Sequence, residues 1–157
     1  MRVIRYETRL DEDYLPLLFR EAVIPYKIDG RKQFNNQEDV VDFLYDGLHM
    51  NELDHEEFIL ICLNIRMKLI GYYVIAKGTE SMCPVSMNAI FKKLLAVGAY
   101  AFIVAHNHPS GDPTPSDKDV ELTERIKEAS KVLGIYLLEH IIVGEDDIYS
   151  FKDYGKI

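Results

Sequence analysis

Two kinds of apolar pattern alternate along this 157-residue chain, and polar or turn-forming segments separate them. Short continuous runs rich in β-branched and aromatic residues are typical of buried strands. They predict an edge strand at 3–6, a hairpin of strands at 58–65 and 69–76, and strands at 101–105, 135–143 and 148–151. Helical spacing of apolar residues predicts helices at 36–50, around 90–95, and at 116–133.

The segment 11–28 has a mixed pattern. Pro16 and Pro25 interrupt it, and four residues share the spacing of a short helix face, namely Tyr14, Leu17, Leu18 and Ala22. We therefore expect a short helix in this segment, followed by a polar connector at 30–36. Strands mixed with helices in this order predict an α/β or α+β fold, in which helices pack on a mixed sheet. At this length we expect a single domain.

Composition narrows the class of protein. Apolar residues make up 48% of the chain and charged residues 28%, which is ordinary for a globular protein. No apolar run approaches the roughly 20 residues of a membrane span, and the N-terminus has no signal-peptide pattern. Cys62 and Cys83 have no metal-type spacing. A cytoplasmic protein fits these features. The net charge of −8 argues against direct binding to nucleic acid, which needs basic residues to displace phosphate counterions.

The densest chemistry lies in the segment His106-Asn-His-Pro109. The apolar run before it predicts a buried strand, and side chains on a strand alternate between faces. His106 and His108 therefore point the same way if the extended conformation persists. Pro109 cannot continue a central strand, so the pair is predicted at a strand end, beside a loop.

A third metal ligand is available after that loop. Ser116 is a good N-cap for the predicted helix, and it places Asp119 in the first helical turn. Two His and one carboxylate suit zinc, with a fourth position left for water. Zinc lowers the pKa of such a water to about 7 and makes it nucleophilic at neutral pH. Alternatively, Ser116 and Asp119 form only a capping-box variant, and the two His are ordinary polar residues.

The motif resembles that of a known superfamily. His-x-His-Pro, with ten residues before an Asp and a Ser three before that Asp, looks like the motif of JAMM (JAB/MPN) metalloproteases. The longer string from His106 to Gly111, with Pro115, Ser116 and Asp119, is similar to the bacterial RadC-like branch. The resemblance runs from about Asn36 to the C-terminus, which makes 36–157 the RadC-like JAB/MPN domain and 1–35 an N-terminal extension packed on it. One departure is the tripeptide at 87–89, Met-Asn-Ala, where the family usually has Pro-Arg-Glu.

The resemblance implies a fold and an activity. The fold is a cytidine-deaminase-like three-layer architecture. The activity is cleavage of a peptide or isopeptide bond, with Zn²⁺ held by His106, His108 and Asp119. A glutamate upstream would be the general base, and Ser116 would hydrogen-bond the oxyanion of the attacked carbonyl. Strand alternation sends Glu56 and Glu57 to opposite faces, so one of them at most faces the metal.

The apolar pattern of the strand does not choose between the two glutamates, but the Glu-x-Phe spacing of family members favours Glu56. Both could instead be solvated at the strand entrance. His140 lies in an apolar run and is predicted to be a hydrogen-bonded core residue, while His49 and His55 are assigned no chemistry. The alternative function is a catalytically silent interaction module, linked to DNA repair only by family association. The peptide or protein substrate and the oligomeric state stay open.

Overall fold

The computed structural model describes residues 2–27, 34, 36–78 and 85–157. Its architecture is α+β, a seven-stranded mixed sheet with three α-helices. The strands are β1 (Arg2–Leu10), β2 (Pro16–Lys27), β3 (Glu57–Leu63), β4 (Leu69–Lys77), β5 (Ala101–Asn107), β6 (Tyr136–Val143) and β7 (Ile148–Ser150). The helices are α1 (Gln37–Asp42), α2 (Met87–Ala96) and α3 (Asp117–Leu133). Most of the predicted connector at 30–36, and Cys83, lie outside the described residues.

The sheet has the spatial order β2-β1-β4-β3-β5-β6-β7. β5 is a central strand, antiparallel to β3 and parallel to β6. All seven residues of β5 are buried, as expected for a strand covered on both faces. This strand ends at Asn107, between the two histidines of the motif. The candidate site therefore lies where the most deeply buried strand of the sheet meets a loop.

Two hydrophobic clusters cover opposite faces of the sheet. One cluster packs residues of α1, such as Val40, against alternate side chains of the central strands, such as Ile59 and Ile103. The other packs α2 and α3, through Phe91 and Ile126, against the intervening side chains of the same strands. Strand alternation thus divides the core between the two faces. In the described part of the chain, no helix is long and apolar enough to cross a membrane.

Most of the predicted elements are confirmed, with small shifts at their ends. The hairpin is β3 and β4, the motif strand is β5, and the predicted strand at 135–143 is β6. The long helix begins after Ser116 and ends at Gly134, whose φ of +67° is the left-handed conformation expected of a helix stop. Only the first part of the predicted helix at 36–50 is α-helical. It comprises α1, a π-helical turn at Phe43–Gly47 and a 3₁₀ turn at Met50–Glu52.

The short helix predicted within 11–28 is wrong, because Pro16–Lys27 form β2, the outermost strand of the sheet. A terminal strand tolerates proline because one of its edges needs no donors, and Pro16 is the first residue of the strand. The turn before it is held by Asp11, whose Oδ1 accepts hydrogen bonds from the backbone N–H groups of Asp13 and Leu15. β1 contains the predicted strand at 3–6 but lies between β2 and β4, so it is not an edge.

Candidate metal site

His106 and His108 converge at the end of β5. Their Nε2 atoms are 3.2 Å apart, as expected for side chains two residues apart on one face of a strand. His106 is 1% exposed, whereas His108 is about one-fifth exposed at the start of the loop. One imidazole is therefore fixed in the core and the other is open to the solvent side.

Asp119 completes a three-residue cluster. Its Oδ1 lies 3.3 Å from His106 Nε2, and its Oδ2 lies 3.7 Å from His108 Nε2. One ligand atom from each residue lies within 4.8 Å of the other two, so the three side chains could hold a metal ion. The placement follows from α3, which starts with a complete capping box between Ser116 and Asp119. The cap orients the first turn and directs the carboxylate back towards β5.

The loop between His108 and α3 is held by the end of β6. The backbone N–H of His108 donates to the carbonyl of Val143, at 2.9 Å, and that of Glu145 donates to the carbonyl of Gly111, at 3.0 Å. A Cβ at Gly144 would stand 2.4 Å from the Gly111 carbonyl oxygen, so only glycine fits there without moving the loop. This close approach keeps the loop, and with it His108, against the sheet.

The donor set fits a divalent cation. His108 Nδ1 lies 2.8 Å from the carbonyl oxygen of Asp112, which can only accept, so Nδ1 carries the hydrogen. In neutral His108 the Nε2 lone pair then faces His106 Nε2 and the carboxylate of Asp119. Such an arrangement is repulsive unless a proton or a metal ion lies within it. Two imidazole nitrogens and one carboxylate are ligands that zinc accepts.

The electrostatics of the cluster favour an ionised carboxylate. Burial raises the pKa of Asp119, but the neighbouring rings of His106 and His108 and the hydrogen bond from the Ser116 hydroxyl outweigh burial and hold that pKa well below its usual range. The pKa of His108 is raised by its contact with Asp119, against the effect of burial. A carboxylate that stays ionised is ready to bind a cation across the physiological pH range.

Glu56 lies on the same face as the two histidines. β3 pairs with β5 in a register that sets Phe58 opposite His106. Continuing that antiparallel register by two residues sets Glu56 opposite His108. Burial raises the pKa of Glu56, while the nearby charges of His106 and His108 act to lower it. The carboxyl group of Glu56 is thus close enough to the cluster for the two histidines to affect its pKa.

Glu57 points away from the cluster. Its carboxylate forms ion pairs with Lys77 and with His55. Burial raises the pKa of Glu57, but the hydrogen bonds from Lys77 and His55 outweigh burial and lower it. Glu57 is therefore a paired structural carboxylate. His55 belongs to that pairing, and His49 lies beside Glu52 on the surface.

Asn107 holds the backbone on both sides of Glu56, a role that sequence reasoning missed. Its Oδ1 accepts from the N–H of Glu57, at 2.8 Å, and its Nδ2 donates to the carbonyl of His55, at 2.9 Å. Asn107 is 1% exposed, so both bonds are shielded from water. The signal available in the sequence was a polar residue between the two candidate ligands. Strand alternation directs that residue to the face opposite the histidines.

Ser116 directs its hydroxyl group at Asp119. Its Oγ donates to Asp119 Oδ2, at 2.6 Å, and accepts from the backbone N–H of Asp119, at 3.3 Å. The hydroxyl hydrogen is thus engaged by the carboxylate. To donate to a substrate oxygen, this hydroxyl must first turn away from Asp119.

His140 on β6 is a hydrogen-bonded core residue, as its apolar sequence context indicates, and it also contacts the site. It is fully buried and lies 2.9 Å, Nε2 to Nδ1, from His106. Its own Nδ1 lies 2.7 Å from Thr123 Oγ1 of α3. Burial, with the neighbouring His106 ring, lowers the pKa of His140 well below its ordinary value. No local pattern in the sequence links positions 106, 123 and 140.

Comparison with known proteins places this arrangement in a family. The family model described as the RadC-like JAB domain matches residues 34–156. A UPF0758 protein of Carboxydothermus hydrogenoformans is 42% identical over 130 residues, which cover 81% of this chain and 56% of that protein. UPF0758 protein STH371 of Symbiobacterium thermophilum is 39% identical over 143 residues, which cover 91% of this chain and 59% of that protein.

The chain spans about half the length of the curated relatives it matches. Their names state no activity. The similarity to the Symbiobacterium protein extends over 143 residues, more than the segment 36–157 contains. It therefore reaches into the N-terminal residues, which we expected to lie outside the resemblance. The match at 34–156 includes all three residues of the cluster. The chain belongs to the RadC-like JAB domain family, and it carries a His-His-Asp cluster that resembles a JAMM metal site.

Proposed function

We propose that this protein is a zinc-dependent hydrolase of JAMM type that cleaves a peptide or isopeptide bond. The observation that carries the proposal is the juxtaposition of His106, His108 and Asp119 with Glu56 on one face of the sheet, at the open end of β5. Three ligands leave a position for water, and a carboxyl group beside that position is what metal-assisted hydrolysis requires.

Each residue has a defined part in the proposed reaction. Zinc, when bound, supplies a Lewis acid that makes water nucleophilic at neutral pH. Glu56 accepts the proton of the attacking water and returns it to the leaving amine. Burial raises the pKa of Glu56, and a base whose pKa is closer to neutral is better matched to both transfers. Ser116, after turning from Asp119, donates to the oxygen of the attacked carbonyl.

The proposal extends to the fold and the partners. We propose the cytidine-deaminase-like three-layer architecture for residues 36–157, supported by the two packed faces of the sheet. The substrate is a peptide or protein, and the net charge of −8 speaks against direct contact with DNA. Tight, steeply salt-dependent binding of a fluorescent DNA duplex would argue instead for a DNA-linked role.

A second candidate is a domain that binds the metal without turnover. Two observations favour it. The Ser116 hydroxyl is engaged by Asp119, and Met87-Asn88-Ala89, the first residues of α2, replace the tripeptide usual in the family. Neither observation removes a metal ligand.

A substrate screen tests the proposal. Zinc-loaded protein is incubated with libraries of peptides and of isopeptide-linked conjugates, and cleavage is followed by mass spectrometry. We expect cleavage that stops when a chelator removes the metal and resumes when zinc is restored. The matched control is Glu56→Gln, which keeps all three ligands. If zinc binds fully and neither library is cleaved, the silent domain is the better description.

A further inference from the structure

A chain of buried hydrogen bonds connects His106 to the backbone of the helix that supplies Asp119. His106 Nδ1 lies 2.9 Å from His140 Nε2. His140 Nδ1 lies 2.7 Å from Thr123 Oγ1, and that hydroxyl lies 2.6 Å from the carbonyl oxygen of Asp119. The chain therefore begins at one candidate ligand and ends at the main chain of another.

The carbonyl at the end determines the direction of every bond in the chain. A carbonyl oxygen can only accept, so Thr123 donates its single hydroxyl hydrogen to Asp119. Having no second hydrogen, Thr123 accepts from His140, so His140 Nδ1 carries a hydrogen. A neutral imidazole carries one hydrogen only, so His140 Nε2 is bare and accepts from Nδ1 of His106.

We propose that His140 and Thr123 are positioning residues that hold His106 as the Nδ1–H tautomer before any metal arrives. In that tautomer the lone pair of His106 is on Nε2, the atom that faces His108 and Asp119. The opposite tautomer would carry a hydrogen on Nε2 and block the ligand position. The chain thus prepares a lone pair for the cation, as an outer hydrogen bond commonly does for a ligating histidine.

The surroundings of His140 prevent it from changing partners. Its ring is stacked on Phe151, with centroids 4.6 Å apart and planes at 8°, and it meets Phe58 edge-on. The backbone N–H of His140 donates to Glu139, whose carboxylate also accepts from the Ser150 hydroxyl. His140 is wholly buried, so no water can replace the partners of its ring. The ring is fixed in place, and Thr123 is the partner of its Nδ1.

This inference deepens the proposed function and rests on it for the identity of the metal, but the tautomers can be measured without metal. Thr123→Val is nearly isosteric and removes the hydroxyl, whereas Thr123→Ser keeps the hydroxyl. In the valine variant His140 has no acceptor at Nδ1, so it gains by carrying its hydrogen on Nε2. His106 must then accept at Nδ1, and its own hydrogen moves to Nε2.

Histidine tautomers are read from long-range ¹H–¹⁵N correlation spectra of metal-free protein at mildly alkaline pH, above the ordinary pKa of an imidazole. We expect the Nδ1–H form at His106 and His140 in the wild type and in Thr123→Ser, and the Nε2–H form at both in Thr123→Val. Zinc affinity, measured by competition with a chromophoric chelator, should fall about 10–100-fold in Thr123→Val and recover in Thr123→Ser.

The outcomes separate this inference from the proposed function. An Nε2–H form of His140 in the metal-free wild type, or unchanged zinc affinity in folded Thr123→Val, would overturn the inference. Should Thr123→Val fail to fold, the tautomers of the wild type and of Thr123→Ser still decide it. A wild type with the stated tautomers that binds no zinc would contradict the proposed function and leave the tautomer assignment standing.

Discussion

Replacing His108 with alanine is expected to reduce bound zinc from about one ion per chain to almost none. The change removes one of three ligands and leaves only His106 and Asp119, whereas zinc sites in proteins use three or four protein ligands. It also removes the hydrogen bond to the Asp112 carbonyl, which contributes to holding the ligand loop. Metal analysis of protein produced with supplementary zinc measures the effect directly.

Thermal unfolding gives a second readout of the same change. A ligand that binds only the folded state stabilises it by about 2.7 kcal/mol at a hundred times its dissociation constant. Added zinc should therefore raise the melting temperature of the wild type and leave that of His108→Ala almost unchanged. The matched control is His49→Asn, because His49 is exposed, lies outside the cluster, and has a left-handed backbone that asparagine tolerates. Equal zinc in wild type and His108→Ala would contradict the metal site.

Replacing Glu56 with glutamine is expected to abolish hydrolysis while zinc content stays the same. Loss of a general base typically costs about 10²- to 10⁴-fold in rate, and glutamine keeps the size and the polar character of the side chain. No ligand is removed, so metal affinity should change little. The measurement is the rate on a substrate found in the library screen, normalised to bound zinc.

Glu57→Gln is the matched control for that experiment. It makes the same chemical change one residue away, on the opposite face of the sheet, where the carboxylate pairs with Lys77 and His55. We expect it to keep the rate within a small factor and to affect stability only. If Glu57→Gln were the damaging change and Glu56→Gln were silent, the assignment of the base would be wrong.

Much of the candidate site could be predicted because its geometry is local. His106 and His108 share a face because a strand repeats every two residues, and the end of the strand is marked by Pro109. Asp119 sits in the first turn of α3 because Ser116 caps that helix three residues earlier. These relations need only short-range backbone geometry, so the order of residues is enough to infer them.

The helix expected within 11–28 shows where local pattern misleads. Leu17 and Leu18 fit the predicted helix face, but such apolar residues also suit a strand. The signal against a helix was the pair of prolines. Neither reading is decided by the segment itself. The pairing of β2 with β1 decides it, because an edge strand accepts proline and an interior helix turn does not.

The order of residues was enough to infer the His-His-Asp cluster and the central hairpin, since both follow from backbone periods and capping within a few residues. Which glutamate faces the cluster depends on the packed sheet, because the register of β3 against β5 relates residues about fifty positions apart. The tertiary structure also brought His140 against His106 and placed Thr123 behind it. Contacts of that kind depend on how strands and helices pack across the sheet, and no periodicity along the chain encodes them.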